Sequence, residues 1–190
     1  MLITGSRLIN APVMGLQTGT ELARIKTPII NPQDLAIVAY ELEGPLLNQD
    51  PSLLRIADVR EFSDIGVIVD SSDEFVSPDD IIKLNEVYQM GFQLAGMRVR
   101  DEKHRKLGRV DGYTLETGNF IIQQLNVKRP LFKSLNDTHL LVHRSQIIEI
   151  NDHEIIVREH AEAPEPMIEN IKQSYVNPFR KSPQAEHREK

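Results

Sequence analysis

The chain has 190 residues, 40% hydrophobic and 26% charged, with no cysteine and a formal net charge of −6. That balance belongs to a folded globular chain; it excludes disulfide staples and thiolate metal sites, and it fits a reducing compartment, so a cytoplasmic location is expected. The acidity is uneven: residues 1–90 hold 6 Lys and Arg against 14 Asp and Glu (net −8), residues 91–160 hold 11 against 9 (net +2), and residues 161–190 balance at 5 against 5.

The opening Met1-Leu2-Ile3-Thr4-Gly5-Ser6-Arg7 has no basic stretch leading into an apolar one, so no signal peptide is expected. No apolar run approaches the roughly 18–20 residues that a membrane-spanning helix needs. After the turn residues Asn31-Pro32-Gln33-Asp34, Ala36, Val38, Tyr40 and Leu42 interleave with Leu35 and Ile37 and predict a strand. Residues 65–69 predict another, entered through Ser63-Asp64. Residues 77–91 predict a helix with Ser77 as its N-cap, Pro78 at its first position, Asp79 and Asp80 at the positive end of its dipole, and Gly91 as terminator. Its apolar stripe is Ile81, Leu84 and Tyr88, with Val87 beside it. Farther on, Glu116-Thr117-Gly118-Asn119 separates two strands, and Gly118 is expected to supply the positive φ of that hairpin. A last strand is expected over residues 153–157. Beyond Arg158, Ala161-Glu162-Ala163-Pro164-Glu165-Pro166 predicts an extended spacer, Ile168, Ile171 and Tyr175 stand at helical spacing, and the polar residues 180–190 predict disorder.

Much of this occurs twice. Glu21-Leu22-Ala23-Arg24-Ile25 returns as Lys106-Leu107-Gly108-Arg109-Val110, Leu35-Ala36-Ile37 as Phe120-Ile121-Ile122, and Pro45-Leu46 as Pro130-Leu131, all 85 residues later. Residues 59–64 and Val67-Ile68-Val69 return as residues 147–152 and Ile155-Ile156-Val157, now 88 residues later. An offset that shifts by so little, inside a loop, points to two copies of one small fold. Several short strands at close spacing suggest that each copy is a small β-barrel, which hides its sheet edges by closing.

The second copy resembles a PRC-barrel domain, the family named after the photosynthetic reaction centre H subunit and also seen at the C-terminus of the ribosome maturation factor RimM. The resemblance rests on Leu94-Ala95-Gly96-Met97-Arg98-Val99, the turn Arg100-Asp101-Glu102-Lys103, then Leu107-Gly108-Arg109-Val110-Asp111, the hairpin over residues 113–120, and Ser145-Gln146-Ile147-Ile148-Glu149-Ile150. Gly108 is expected to permit a close backbone approach. The first copy departs from the pattern, with Ala23 in place of Gly108 and Pro32-Gln33 near the Gly118 turn. The resemblance implies a mainly β chain of two tandem small PRC-type β-barrels joined by a short α-helix. Its parts are a first barrel over residues 1–76, a connecting helix over 77–91, a second barrel over 92–160 and a C-terminal tail over 161–190. The family serves assembly and docking without a shared catalytic centre, so no catalytic residue, cofactor or metal is expected and the chain is read as no enzyme.

His139 and His143 would share one strand face, yet no third ligand stands near them, and imidazole sites usually need three or four ligands. The candidate interaction surfaces are two. Arg98, Arg100, Lys103, Arg105, Lys106 and Arg109 crowd one hairpin against Asp101 and Glu102, with His104 at its tip. Such a ribbon could contact phosphates on RNA or dock an acidic partner, or simply solvate a sheet edge; it lacks interleaved aromatic residues for base stacking. The second surface is the stripe Ile168, Ile171 and Tyr175, laid into a partner's groove or back onto its own domain. The expectation is a non-enzymatic scaffold or adaptor that binds another protein, or a second copy of itself. The alternative is a ribosome-assembly or RNA-associated factor that touches RNA or a ribosomal protein.

Overall fold

Short alternating apolar segments form short strands, and turn residues cut each one off. The computed structural model describes residues 1–63, 65–129 and 139–158, all inside the unit Met1–His160. The expectations placed on residues 159–190, including Ile168, Ile171 and Tyr175, lie outside the described residues. In chain order the strands are β1 (Leu2–Thr4), β2 (Pro12–Gly15), β3 (Glu21–Asn31), β4 (Ala36–Glu43), β5 (Ser52–Arg55), β6 (Glu61–Ser63), β7 (Gly66–Val69) and β8 (Phe75–Val76). Helix α1 (Ile82–Gln89) follows, then β9 (Arg98–Asp101), β10 (Lys106–Glu116), β11 (Ile121–Lys128), β12 (His139–His143), β13 (Ile147–Ile150) and β14 (Glu154–Val157). The chain is mainly β, in one mixed sheet. Among the described residues no helix is long and apolar enough to cross a membrane.

The repeat is visible in the pairing. In the first half β2 runs antiparallel to β3 and parallel to β7, while β3–β4, β4–β5 and β6–β7 are antiparallel. The second half has the same relations: β9 antiparallel to β10 and parallel to β14, with β10–β11, β11–β12 and β13–β14 antiparallel. Between β5 and β6 lies a 3-10 turn, Ile56–Asp58, and between β12 and β13 its counterpart, Arg144–Gln146.

Strands β4 and β11 join the halves through one residue pair, Ala36 opposite Ile121. Ile37 N donates to Phe120 O at 2.9 Å, and Ile122 N donates to Leu35 O at 3.0 Å. Leu35 and Phe120 are equivalent in the repeat, as are Ile37 and Ile122. The contact is therefore reciprocal, the pattern of a twofold interface, here within one chain. The ladder passes unbroken from one half to the other, and a single apolar cluster includes Ile25, Leu35, Ile37 and Tyr40 together with Val110, Phe120, Ile122 and Leu125. β1 also crosses over: the chain's first strand pairs with β10 of the second half, Ile3 opposite Leu115.

Two expectations are corrected. Gly118 does not supply the positive φ of its turn; Phe120 does (φ 53°), as Leu35 does in the first half (φ 56°). In each turn a short polar side chain fixes the backbone: Asn119 Oδ1 accepts from Ile121 N at 3.1 Å, and Asp34 Oδ1 accepts from Ala36 N at 3.0 Å. The next residue is thereby turned inward, and the left-handed cost of roughly 1–2 kcal/mol is offset by burying a Leu or Phe side chain, worth about 1.5–3 kcal/mol. The connecting helix also starts later than expected. Ser77 and Asp80 form a capping box around a 3-10 turn, Pro78–Asp80, with Ser77 N donating to Asp80 Oδ2 at 2.7 Å. Ile81 is extended (φ −138°), so α1 begins only at Ile82. Gly91 (φ 58°) ends it, as expected.

Gly108 does lie against its neighbouring strand: a Cβ there would sit 2.2 Å from Lys128 O. Gly108→Ala is expected to lower unfolding stability by about 1–3 kcal/mol, read from a urea melt. Tyr40 gives an effect of opposite sign. Its ring stands edge-on to Phe120, centroids 6.3 Å apart, while its buried hydroxyl has no hydrogen-bond partner among the described residues. Tyr40→Phe removes that stranded hydroxyl without opening space, so the unfolding free energy from a urea melt is expected to stay level or rise, by up to about 1–3 kcal/mol.

Candidate functional site

The basic hairpin is β9, the turn at residues 102–105, and the start of β10. It is organised around an acid. Asp101 is fully buried, and its carboxylate accepts hydrogen bonds from Lys103 N at 2.9 Å, Arg105 N at 2.9 Å and the Arg105 guanidinium. Burial pushes the Asp101 carboxyl up, but the donors from Arg105 and Lys103 outweigh it and hold it below the usual carboxylate range. At the tip His104 adopts a left-handed backbone (φ 59°), where the equivalent Gly19 of the first half has φ 66°.

Several of the six cations are structural. Arg100 pairs with Glu154 at 2.8 Å, both half-buried. Arg109 Nη1 donates to Gly96 O at 2.8 Å, and the equivalent Arg24 Nη1 donates to Asn10 O at 3.0 Å. The arginine shared by Leu22-Ala23-Arg24-Ile25 and Leu107-Gly108-Arg109-Val110 is thus a clamp on the chain's entry into each copy. Arg98 and Lys106 remain on the surface, and Arg98 faces Arg109 across the ladder as Arg100 faces Lys106. Like charges opposite one another repel and call for a counter-anion, which Glu154 supplies beside Arg100.

A second surface emerges only from comparing the two copies. In the first half the outer face of β3, β4 and β5 is covered: Ile29, Ala39 and Leu53 pack with Leu84 of α1, with Val87 and Tyr88 alongside, and β8 pairs along β5. The equivalent positions in the second half are Thr114, Gln124 and Leu141, fixed by the matching registers Ile29 opposite Ala39 and Thr114 opposite Gln124. Leu53 is 0% exposed, whereas Leu141 is 54% exposed. An open depression of about 340 Å³ is lined by Leu2, Thr114, Glu116, Gln123, Gln124 and His143. Among the described residues β12 pairs with β11 alone.

His139 and His143 do share the outward face of β12, both exposed. His143 Nδ1 lies 2.8 Å from Ser145 Oγ and accepts from Ser145 N at 3.2 Å, so this histidine caps the 3-10 turn that follows. Sequence reading located the basic hairpin but missed its buried anchor, and it missed the Leu141 face altogether. The available signal was Leu141 itself, an apolar residue equivalent to Leu53.

No protein-family model matches the chain, and no curated protein is similar to it.

Asp101 also predicts a pH response. A carboxyl held low in the folded state contributes stability above its unfolded pKa of about 3.9, and that contribution is lost as pH falls through the lower folded value. Thermal unfolding of the wild type is expected to fall off below about pH 4, and Asp101→Asn to start from a lower Tm at neutral pH with a shallower acid slope. Equal slopes for the two proteins would contradict this role.

Proposed function

We propose that the protein is a non-enzymatic adaptor or scaffold, built as two tandem PRC-type barrels joined by α1, that acts in the cytoplasm by binding a protein partner through its second half. The barrel reading is supported by the identical pairing order in both halves and by the three-residue turns that join β5 to β6 and β12 to β13, the two ends of each six-strand run. The docking reading is supported by one observation: equivalent faces are treated unequally, Leu53 beneath α1 and β8, Leu141 open to solvent. Leu141 is an exposed apolar side chain on β12, two residues from His143, which lines the depression with Gln123, Gln124 and Thr114, so this face offers a partner apolar contact area and amide hydrogen bonds together.

The alternative is RNA association through the basic hairpin, and it is favoured by the like-charged cross-strand pairs at Arg98–Arg109 and Arg100–Lys106. Two variants separate the readings in affinity purification and RNA titration. Leu141→Glu is expected to weaken partner capture at least about tenfold, while the pair Arg98→Glu, Lys106→Glu leaves it unchanged. RNA affinity that falls steeply between low and moderate salt, and disappears in the charge-reversed pair, would instead establish the alternative.

A further inference from the structure

The two copies treat one cross-sheet row of charge in opposite ways. In the second half Arg98, Arg109, Lys128 and His139 face one another in succession across β9, β10, β11 and β12, all exposed. In the first half the positions matching the first three are Pro12, Arg24 and Glu43. The arginine is common to both halves, but its setting is not. Arg24 has Glu43 opposite it and pairs with Glu21 at 2.8 Å; 85 residues later those two acids are Lys128 and Lys106. Among the described residues neither lysine forms an ion pair. Asp111, exposed at the bulge of β10, and Glu154, on Arg100, border the row without standing opposite Arg109 or Lys128. The row also continues the face on which Leu141 stands. On β12 His139, Leu141 and His143 alternate with buried Leu140 and Val142, and Leu141 lies opposite Asn126, two positions from Lys128 along β11.

We infer that the partner element seated on Leu141 is an acidic amphipathic helix, with an apolar side chain on Leu141 and a carboxylate one turn away over the Lys128–Arg109 pair. This rests on the docking reading and supplies the chemistry of its ligand. A helix suits the seat because α1 covers the equivalent Leu53 in the first half. Its side chains one turn apart stand about 5–6 Å from each other, and diagonal neighbours on a sheet about 7–8 Å, a difference that long side chains span. Arg109 and Lys128, directly opposed, stand about 4.5–5.5 Å apart at Cβ. One carboxylate bridges that gap, accepting from the ammonium and the guanidinium together. Opposed like charges weaken the free sheet, and an anion held between them replaces repulsion with attraction on binding. A long nucleic acid suits the row less well, because the first half carries a net −8 over residues 1–90 and repels it. Arg98 lies a strand beyond Arg109, and Lys106 three residues along β10, so both stand outside this seat.

The probe is a fluorescein-labelled, alanine-based helical peptide of about 20 residues, with leucines on one face and a glutamate one turn from each. Its counterpart carries lysine in place of those glutamates. The full-length chain is expected to bind the acidic peptide at least about tenfold tighter than the lysine peptide, and Lys128→Glu to reverse that order. Leu141→Ser is expected to weaken both. Lys128→Glu provides the acid that Glu43 supplies in the first half, opposite an arginine in the same register, so its urea midpoint is expected to stay level or rise. Absent binding at millimolar peptide, equal affinity for the two peptides, or an order that Lys128→Glu leaves unchanged would overturn the inference. If Leu141→Ser still weakens both peptides in that case, the docking face stands without an acidic ligand. Binding indifferent to Leu141→Ser would remove the docking face and the inference together. Self-association in light scattering that Lys128→Glu abolishes (a second copy's acidic half on this row), or duplex RNA bound through Lys128, would overturn it by giving the row a different occupant.

Discussion

Two hydrogen bonds at a single residue pair hold this architecture in register. Ile37 N to Phe120 O and Ile122 N to Leu35 O join equivalent residues of the two copies, so this contact is the same seen from either side. The bond geometry exists because Asp34 and Asn119 bend their turns identically and throw Leu35 and Phe120 inward. Both side chains then enter the common apolar cluster, with Tyr40 standing edge-on to Phe120. β1 reinforces the joint from the other direction, since pairing with β10 requires the chain's first residues to cross into the second half. Each copy contributes only about 70–80 residues, near the lower limit for a self-sufficient core, so sharing one cluster relieves a shortage of apolar volume.

Within this shared plan the copies have diverged by exchanging solutions to the same local problem. The close approach of neighbouring backbones falls at Gly108 in the second half, against Lys128 O; in the first half Ala23 fills that position and Gly44 on the neighbouring segment makes the approach. The β2–β3 turn of the first half uses Gly15 and Gly19, where the second half uses buried Asp101 and left-handed His104. A carboxylate that gathers two backbone amides and a guanidinium replaces conformational freedom with hydrogen bonds, and it explains why cations cluster in that hairpin. Arg105 and Lys103 flank an anion, Arg100 meets Glu154, and Arg109 clamps Gly96. The positive patch is in good part the visible side of internal pairing.

The same comparison changes where function is sought. Charge drew attention to the hairpin because charge is legible residue by residue. An uncovered face is not legible in that way; Leu141 in an alternating strand reads like any core leucine. Its exposure stands out only against Leu53, which occupies the same register position under α1 and β8. Duplication thus provides an internal reference, and the difference in covering between Leu53 and Leu141 is the observation on which the proposed docking face rests.

The sequence by itself determined the duplication, the β class, the helix between the copies and the close approach at Gly108, because each depends on short-range pattern: alternation, capping residues, glycine placement and a fixed offset. Tertiary structure decided what those patterns leave open. It placed the left-handed turns at Leu35 and Phe120 rather than Gly118, joined the copies at Ala36 and Ile121, sent β1 to the second half, and left Leu141 exposed. The physical reason is that burial and pairing are properties of what lies opposite a residue, and in this chain what lies opposite stands up to 116 positions away, as where Thr117 meets Met1.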